Sequence, residues 1–185
     1  MKLRNTTTGY GPIAQLLHWG VAGLIVYQYL LARRAADATL FQQLGILATH
    51  KSIGITILAL AFIRLGWNFG LGPRPGPPEN EPSYRARLAF ASHSLLYALI
   101  VLMPITGWVM SSAANTPVSY FGWFTLPNLI APHSEWVDTL KALHGALFIV
   151  LATIVAAHVS AALYHQLVVQ DDVLRRMIPF IRARR

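Results

Sequence analysis

The 185-residue sequence contains no cysteine. This absence excludes disulfide bonds, zinc–thiolate sites, iron–sulfur clusters and any cofactor attached through thioether bonds. Charged residues are also scarce, at 12% of the chain, whereas 55% of the residues are hydrophobic and the mean hydropathy is positive. This composition is too apolar for an ordinary soluble domain. The sequence therefore predicts an integral membrane protein whose strongest nitrogen ligands for a metal are its seven histidines.

Acidic residues are few, and the fifteen lysines and arginines against seven acids give a formal net charge of +8. In a soluble protein this balance would suggest a nucleic-acid partner. Here the basic residues lie outside the apolar runs, as is typical of chains whose ends meet anionic lipid headgroups. We therefore expect a lipid bilayer as partner and no nucleic acid.

Four long apolar runs predict an all-α fold, an integral membrane four-helix bundle that forms one domain over residues 1–185. The expected helices are 12–32, 45–68, 88–112 and 140–169. The last run has no charged residue between 142 and 169, which exceeds the ~20 residues needed to cross a bilayer. A segment rich in proline and aromatic residues, 115–137, is expected at the membrane interface as a loop or short helix.

The basic residues are distributed unequally between the two sides of the predicted bundle. With four spans, both termini lie on one side together with the connection between the second and third helices, and this side carries eleven of the fifteen lysines and arginines. The opposite side carries Arg33, Arg34, Lys51 and Lys141. Because positively charged loops stay in the cytoplasm, both termini are predicted to be cytoplasmic.

Four histidines lie at two matched depths in this topology. His144 and His158 are fourteen residues apart on the fourth helix, a rise of ~21 Å with a rotation only ~40° short of whole turns, so they share one face. His18 lies at the cytoplasmic level of His158, and His50 lies at the outer level of His144. Each pair could hold a planar iron macrocycle between two helices, with imidazole on both axial positions. The pattern predicts two b-type haems, one above the other.

Other roles for these histidines are less favoured. A single histidine on an apolar helix face is more often a hydrogen-bonded structural residue than a ligand, but four at matched depths favour a metal or haem. Direct zinc or copper binding is disfavoured because each depth supplies only two ligands. His165 lies ~10 Å beyond His158 towards the cytoplasm, where we expect an interfacial hydrogen bond. For His93, a polar cap and a proton donor to quinone both remain open.

Four further residues lie beside the two predicted haem levels, three at the outer level and one at the inner level. Gly54, one turn after His50, leaves space either for a macrocycle edge or for close helix packing. Arg64 projects from a similar face at the inner level and could pair with haem propionates or extend to the interface. Lys51 and Lys141, near the outer histidines, could meet propionates, attract an anionic substrate or anchor the helix ends.

Several short motifs occur together in a characteristic order. They are His18-Trp19, His50-x3-Gly54-x9-Arg64, Pro104-x2-Gly107, Phe121-Gly122, Leu126-Pro127, Asp138-Thr139-Leu140-Lys141-x2-His144 and His158-x6-His165. In this order and spacing the chain resembles the bacterial cytochrome b561 family of four-helix dihaem membrane proteins over essentially its full length. The resemblance implies that His18 and His158 hold one haem b on the cytoplasmic side and that His50 and His144 hold another on the periplasmic side.

The same resemblance implies electron transfer in the bacterial inner membrane between a donor at one face and quinone. The chain is similar to the short members that oxidise superoxide and reduce ubiquinone, since it lacks the added helix expected of a hydrogenase subunit. In this reading, Lys51 and Lys141 would steer superoxide, with help from Arg33 or Arg34. The alternative is a non-enzymatic electron-transfer subunit that serves a periplasmic protein donor such as a hydrogenase or dehydrogenase. A four-helix protein without haem is a third reading.

Overall fold

The computed structural model of the protein describes residues 4–7, 9–70, 75–77 and 81–179. Four long helices dominate this part of the chain: α1 (Pro12–Ala36), α2 (Leu40–Gly70), α3 (Ser83–Ala113) and α4 (Val137–Tyr164). Each is long and apolar enough to cross a membrane, α4 together with the short turns at its two ends. The predicted all-α fold with four spans is confirmed. Some basic residues used to predict the orientation lie outside the described residues, namely Lys2, Arg74, Arg182, Arg184 and Arg185.

The helices pack in chain order, α1 on α2, α2 on α3 and α3 on α4. Buried apolar side chains form two clusters. The first joins α1 to α2 through Val21, Leu31, Ile53 and Ile57, and the second joins α2, α3 and α4 through Ala61, Leu99, Ile100 and Leu151. Many other large apolar side chains are exposed. An apolar exterior over long helices is the surface that lipid requires, because hydrocarbon chains solvate it as well as a protein core does.

The helices extend past the apolar runs from which they were predicted. Helix α2 begins at Leu40 rather than near 45, and Thr39 precedes it with both its backbone N–H and its hydroxyl hydrogen-bonded to the Gln42 side chain. Helix α3 begins at Ser83 rather than near 88. Hydropathy marks only the part of a helix that lies in the hydrocarbon, whereas the backbone hydrogen bonds continue into polar sequence.

The segment between α3 and α4 contains a small hairpin that was not predicted. Strand β1 (Ser119–Tyr120) pairs antiparallel with β2 (Phe124–Thr125). The connection is the three-residue turn 121–123, in which Phe121 and Gly122 have positive φ values of 48° and 78° and the Trp123 N–H donates to the Tyr120 carbonyl at 2.9 Å. A single 3₁₀ turn, Ser134–Trp136, then leads into α4. The expectation of a loop or short helix was therefore wrong for the hairpin.

Side chains of α2 hold the hairpin against the outer end of the bundle. The Ser52 hydroxyl accepts a hydrogen bond from the Phe121 N–H at 3.0 Å and lies 3.1 Å from the Ser119 carbonyl oxygen. One turn further on, Thr56 Oγ1 lies 3.2 Å from the Tyr120 hydroxyl. Because Ser52 and Thr56 follow His50 on the same helix, the hairpin packs on α2 close to the level of His50.

The chain beyond α4 packs against the start of α1. A π-helical turn, His165–Val169, ends at Gln170, whose φ of 60° reverses the chain direction. The Trp19 indole N–H then donates to the Met177 carbonyl at 2.8 Å, and the Gln15 amide donates to the Arg176 carbonyl at 3.1 Å. These bonds tie the predicted cytoplasmic ends of α1 and α4 together.

Candidate functional site

Three histidines from three helices meet at the predicted inner level. The ring centres of His18 on α1 and His158 on α4 lie 6.3 Å apart. His93 on α3 joins them, with its ring centre 5.2 Å from that of His158 and its plane inclined at 72°. The pair expected from depth is thus brought together. Sequence reasoning left His93 without a depth partner because α3 was expected to begin near 88; the earlier start at Ser83 places His93 well inside the helix.

The spacing of His18 and His158 suits axial coordination of one metal ion. With metal–nitrogen bonds of ~2.0 Å and ring centres ~1.1 Å beyond each nitrogen, two imidazoles on opposite sides of an ion have centres about 6 Å apart. The observed distance of 6.3 Å agrees with this value. The donor set therefore fits a bis-histidine haem.

Arg64 of α2 reaches into this inner level. Its Nη2 donates to His18 Nδ1 at 2.8 Å, and its guanidinium carbon lies 5.4 Å from the centre of the Tyr97 ring. A guanidinium can only donate, so the neutral His18 ring carries its proton on Nε2, and binding of iron there would require Arg64 to release Nδ1. A released guanidinium at this level is well suited to pair with an anionic group.

The outer level contains His50 of α2 and His144 of α4. The Nδ1 of His144 lies 3.0 Å from Thr106 Oγ1 of α3. His50 presents a buried Nδ1 that has no hydrogen-bond partner among the described residues, while its carbonyl accepts from the Gln28 amide at 3.0 Å. This ring nitrogen is therefore free to bind a further group, which is compatible with the second predicted haem.

Two glycines lie near the outer level, and one of them, Gly107, is adjacent to His144. At Gly107 of α3, an added Cβ would lie 3.3 Å from His144 Cε1, so a larger residue would require the ring to move away from α3 by a few tenths of an ångström. At Gly54 of α2, an added Cβ would lie 3.3 Å from Gln28 Nε2 and 3.9 Å from Pro104 Cβ. Gly54 thus contacts neighbouring helices in the way expected of close helix packing.

The basic residues of the outer side differ in their surroundings. Lys51 is half-buried, and its Nζ donates to the Thr116 carbonyl at 2.9 Å and to the Thr116 hydroxyl at 3.2 Å. Lys141, Arg33 and Arg34 are exposed. Among the described residues, side-chain ion pairs occur only near the C-terminal end, at His165–Asp171 and Arg175–Asp172. The four outer cations are therefore not neutralised by a salt bridge within that part of the chain.

The two remaining histidines make local hydrogen bonds. His165 Nδ1 lies 2.6 Å from Asp171 Oδ2, which agrees with the hydrogen-bonding role expected for it. His133 Nδ1 donates to the Ala131 carbonyl at 2.8 Å, and its ring stacks on Trp136 with centres 4.7 Å apart. His133 is therefore held in place by contacts with its neighbours.

The four membrane-spanning helices bring histidine side chains together inside the bundle. This arrangement defines a membrane protein that holds a metal-bearing cofactor between its helices. The family model described as prokaryotic cytochrome b561 matches residues 9–180. The chain belongs to this family and is a membrane electron-transfer protein with b-type haem.

Curated relatives support the same assignment over nearly their whole lengths. Cytochrome b561 homolog 2 of Escherichia coli is 34% identical over 182 residues, which cover 96% of this chain and 95% of the relative. Probable superoxide oxidase CybB of Yersinia pestis is 30% identical over 168 residues, covering 88% and 92%. Cytochrome b562 of Cereibacter sphaeroides is 28% identical over 176 residues, covering 92% and 95%.

Proposed function

We propose that the chain holds two b-type haems, one between His18 and His158 and one between His50 and His144, and that it oxidises superoxide and reduces ubiquinone. The observation that carries this proposal is the 6.3 Å spacing of the His18 and His158 rings, with His144 four turns away on the same helix as His158. When bound, haem supplies the one-electron oxidation and reduction that protein side chains lack.

The reaction balances as two superoxide anions giving two O₂ and two electrons, while ubiquinone takes two electrons and two protons to give ubiquinol. The similarity to probable superoxide oxidase CybB supports superoxide as the donor. An anionic donor also suits the cations of the outer side, because a local positive potential raises the rate of anion association.

Lys51 and Lys141 are the proposed steering residues. The Lys51 ammonium donates to two oxygens of Thr116, and both oxygens are neutral. These hydrogen bonds fix the position of the ammonium group and do not neutralise its positive charge. Lys141 lies exposed three residues before His144 on α4. Arg33 and Arg34, in the last turn of α1, add to the same potential.

For this arrangement to face superoxide, both termini lie in the cytoplasm and the hairpin lies on the periplasmic side of the inner membrane. The excess of lysine and arginine on the side of the termini supports this orientation. Fusion of alkaline phosphatase, which is active only in the periplasm, to the C-terminus tests it. The fusion should be inactive; phosphatase activity would place the C-terminus in the periplasm and contradict the proposed orientation.

The electron donor is tested by stopped-flow spectroscopy of the purified full-length protein. Superoxide should reduce the haem α-band faster than a control that contains superoxide dismutase, and ubiquinone should then reoxidise it. If reduction by superoxide is no faster than in the control, the chain is an electron carrier for a protein donor instead.

The two-haem assignment is tested by the haem content per chain. His144→Ala should lose one of two haems, because Ala offers no axial ligand, whereas the control His133→Ala should keep both. His133 is a suitable control because its ring contacts Ala131 and Trp136 outside the four long helices. Two haems retained in His144→Ala would disprove the pairing.

A further inference from the structure

Thr106 of α3 makes two hydrogen bonds that together determine the protonation pattern of His144. Thr106 Oγ1 lies 2.8 Å from the Met103 carbonyl oxygen and 3.0 Å from His144 Nδ1. A threonine hydroxyl has a single proton to donate, and a carbonyl can only accept. The hydroxyl proton therefore goes to Met103, and His144 Nδ1 donates its own proton towards Thr106 and the neighbouring Met103 carbonyl.

This assignment leaves the other ring nitrogen of His144 with a free lone pair. A neutral imidazole carries one proton, so a protonated Nδ1 means that Nε2 is the acceptor, the form in which imidazole binds a metal. The contact with Gly107 limits rotation of the ring from the α3 side, since His144 Cε1 lies 3.3 Å from the position of an added Cβ.

We propose that Thr106 is a positioning residue for the outer haem, which selects the Nδ1–H tautomer of His144 and thereby strengthens it as an axial ligand. The inference rests on the proposed role of His144. A ligating imidazole that donates its second N–H becomes a stronger electron donor, which stabilises the oxidised metal. Among the described residues, the hydroxyl of Thr106 contacts the outer histidine His144 and no histidine of the inner level. The effect of Thr106 is therefore confined to one of the two haems.

The experiment compares Thr106→Val, which is nearly isosteric but has no hydroxyl, with Thr106→Ser, which keeps the hydroxyl. Thr153→Val is the matched control, because Thr153 is an exposed residue of α4 whose hydroxyl, among the described residues, bonds only to its own helix, at the Ile149 carbonyl. The measurements on each purified full-length protein are haem content, the electron paramagnetic resonance spectrum of the oxidised state and the midpoint potential of each haem.

In Thr106→Val, we expect the midpoint potential of one haem to rise and its resonance signal to shift, while the other haem stays unchanged. Thr106→Ser should restore both values, and Thr153→Val should leave them at those of the wild type. Unchanged potentials and spectrum in Thr106→Val would overturn the proposal. If Thr106→Val loses the outer haem, retention in Thr106→Ser supports the role of the hydroxyl, and loss in both variants refutes it.

His144→Ala separates this inference from the assignment on which it depends. If that variant keeps both haems, His144 is not a ligand and both proposals fail. If it loses one haem while Thr106→Val behaves as wild type, the ligand assignment stands and only the role of Thr106 is refuted.

Discussion

Ser52→Ala should loosen the hairpin without unfolding the bundle. Ser52 is 1% exposed, and its hydroxyl accepts from the Phe121 N–H and lies within hydrogen-bonding distance of the Ser119 carbonyl. Phe121 has a φ of 48°, and a left-handed residue with a side chain costs about 1–2 kcal/mol, so neighbouring contacts must offset that cost. At about 1 kcal/mol for each neutral hydrogen bond, losing the hydroxyl removes ~1–2 kcal/mol from the hairpin.

This loss is measured by hydrogen–deuterium exchange of the hairpin amides. A change of ~1–2 kcal/mol raises the fraction of open hairpin by a factor of ~5–30, and exchange should accelerate by the same factor. The informative amides are Trp123 N–H, bonded to Tyr120, and Leu126 N–H, bonded to Val118.

Ser112→Ala provides the matched control for this experiment. Ser112 is also fully buried, and its hydroxyl accepts from the Leu129 N–H at 3.0 Å, beyond the hairpin. That variant should accelerate exchange at Leu129 and leave the hairpin unchanged. If Ser112→Ala has this effect while the hairpin of Ser52→Ala exchanges at the wild-type rate, then Ser52 does not hold the hairpin.

Three further outcomes are expected. Gly107→Ala should displace the His144 ring, because the new Cβ would lie 3.3 Å from Cε1, and should lower outer-haem content while the inner haem remains, as read from the haem content and spectrum. Lys141→Glu should slow the reaction with superoxide at low ionic strength and approach the wild-type rate at high salt; an equal rate at low salt would remove Lys141 from the steering role. Trp19→Phe should lose the 2.8 Å hydrogen bond to Met177 and weaken the C-terminal contact by about 1 kcal/mol, seen as faster proteolysis of that segment.

The helices and the inner histidine pair could be predicted from the length of the apolar runs and from the spacing of the histidines. The apolar runs are long enough to specify four spans, and a fourteen-residue interval is close to a whole number of helical turns wherever the helix packs. The depth argument for His18 and His158 required only these two regularities. It did not detect His93, because the start of α3 lies in polar sequence that hydropathy does not mark.

The side-chain partners could not be predicted in the same way. Arg64 was expected to meet propionates or to extend to the interface, yet it donates to His18 from another helix. Lys51 was considered a steering residue, but its bond to Thr116 depends on how the outer segment folds back over α2. Such contacts join residues distant in sequence, and their distances depend on helix rotation within a few ångströms.

The amino-acid sequence by itself determined the membrane environment, the number of spans and the two depths at which histidines occur, because these follow from residue counts and the geometry of a single helix. The tertiary structure alone decided which side chains contact those histidines. The hydrogen bonds of His144 to Thr106 and of His18 to Arg64 arise where separate helices cross. Both contacts depend on relative rotation and close approach, and local sequence does not encode either quantity.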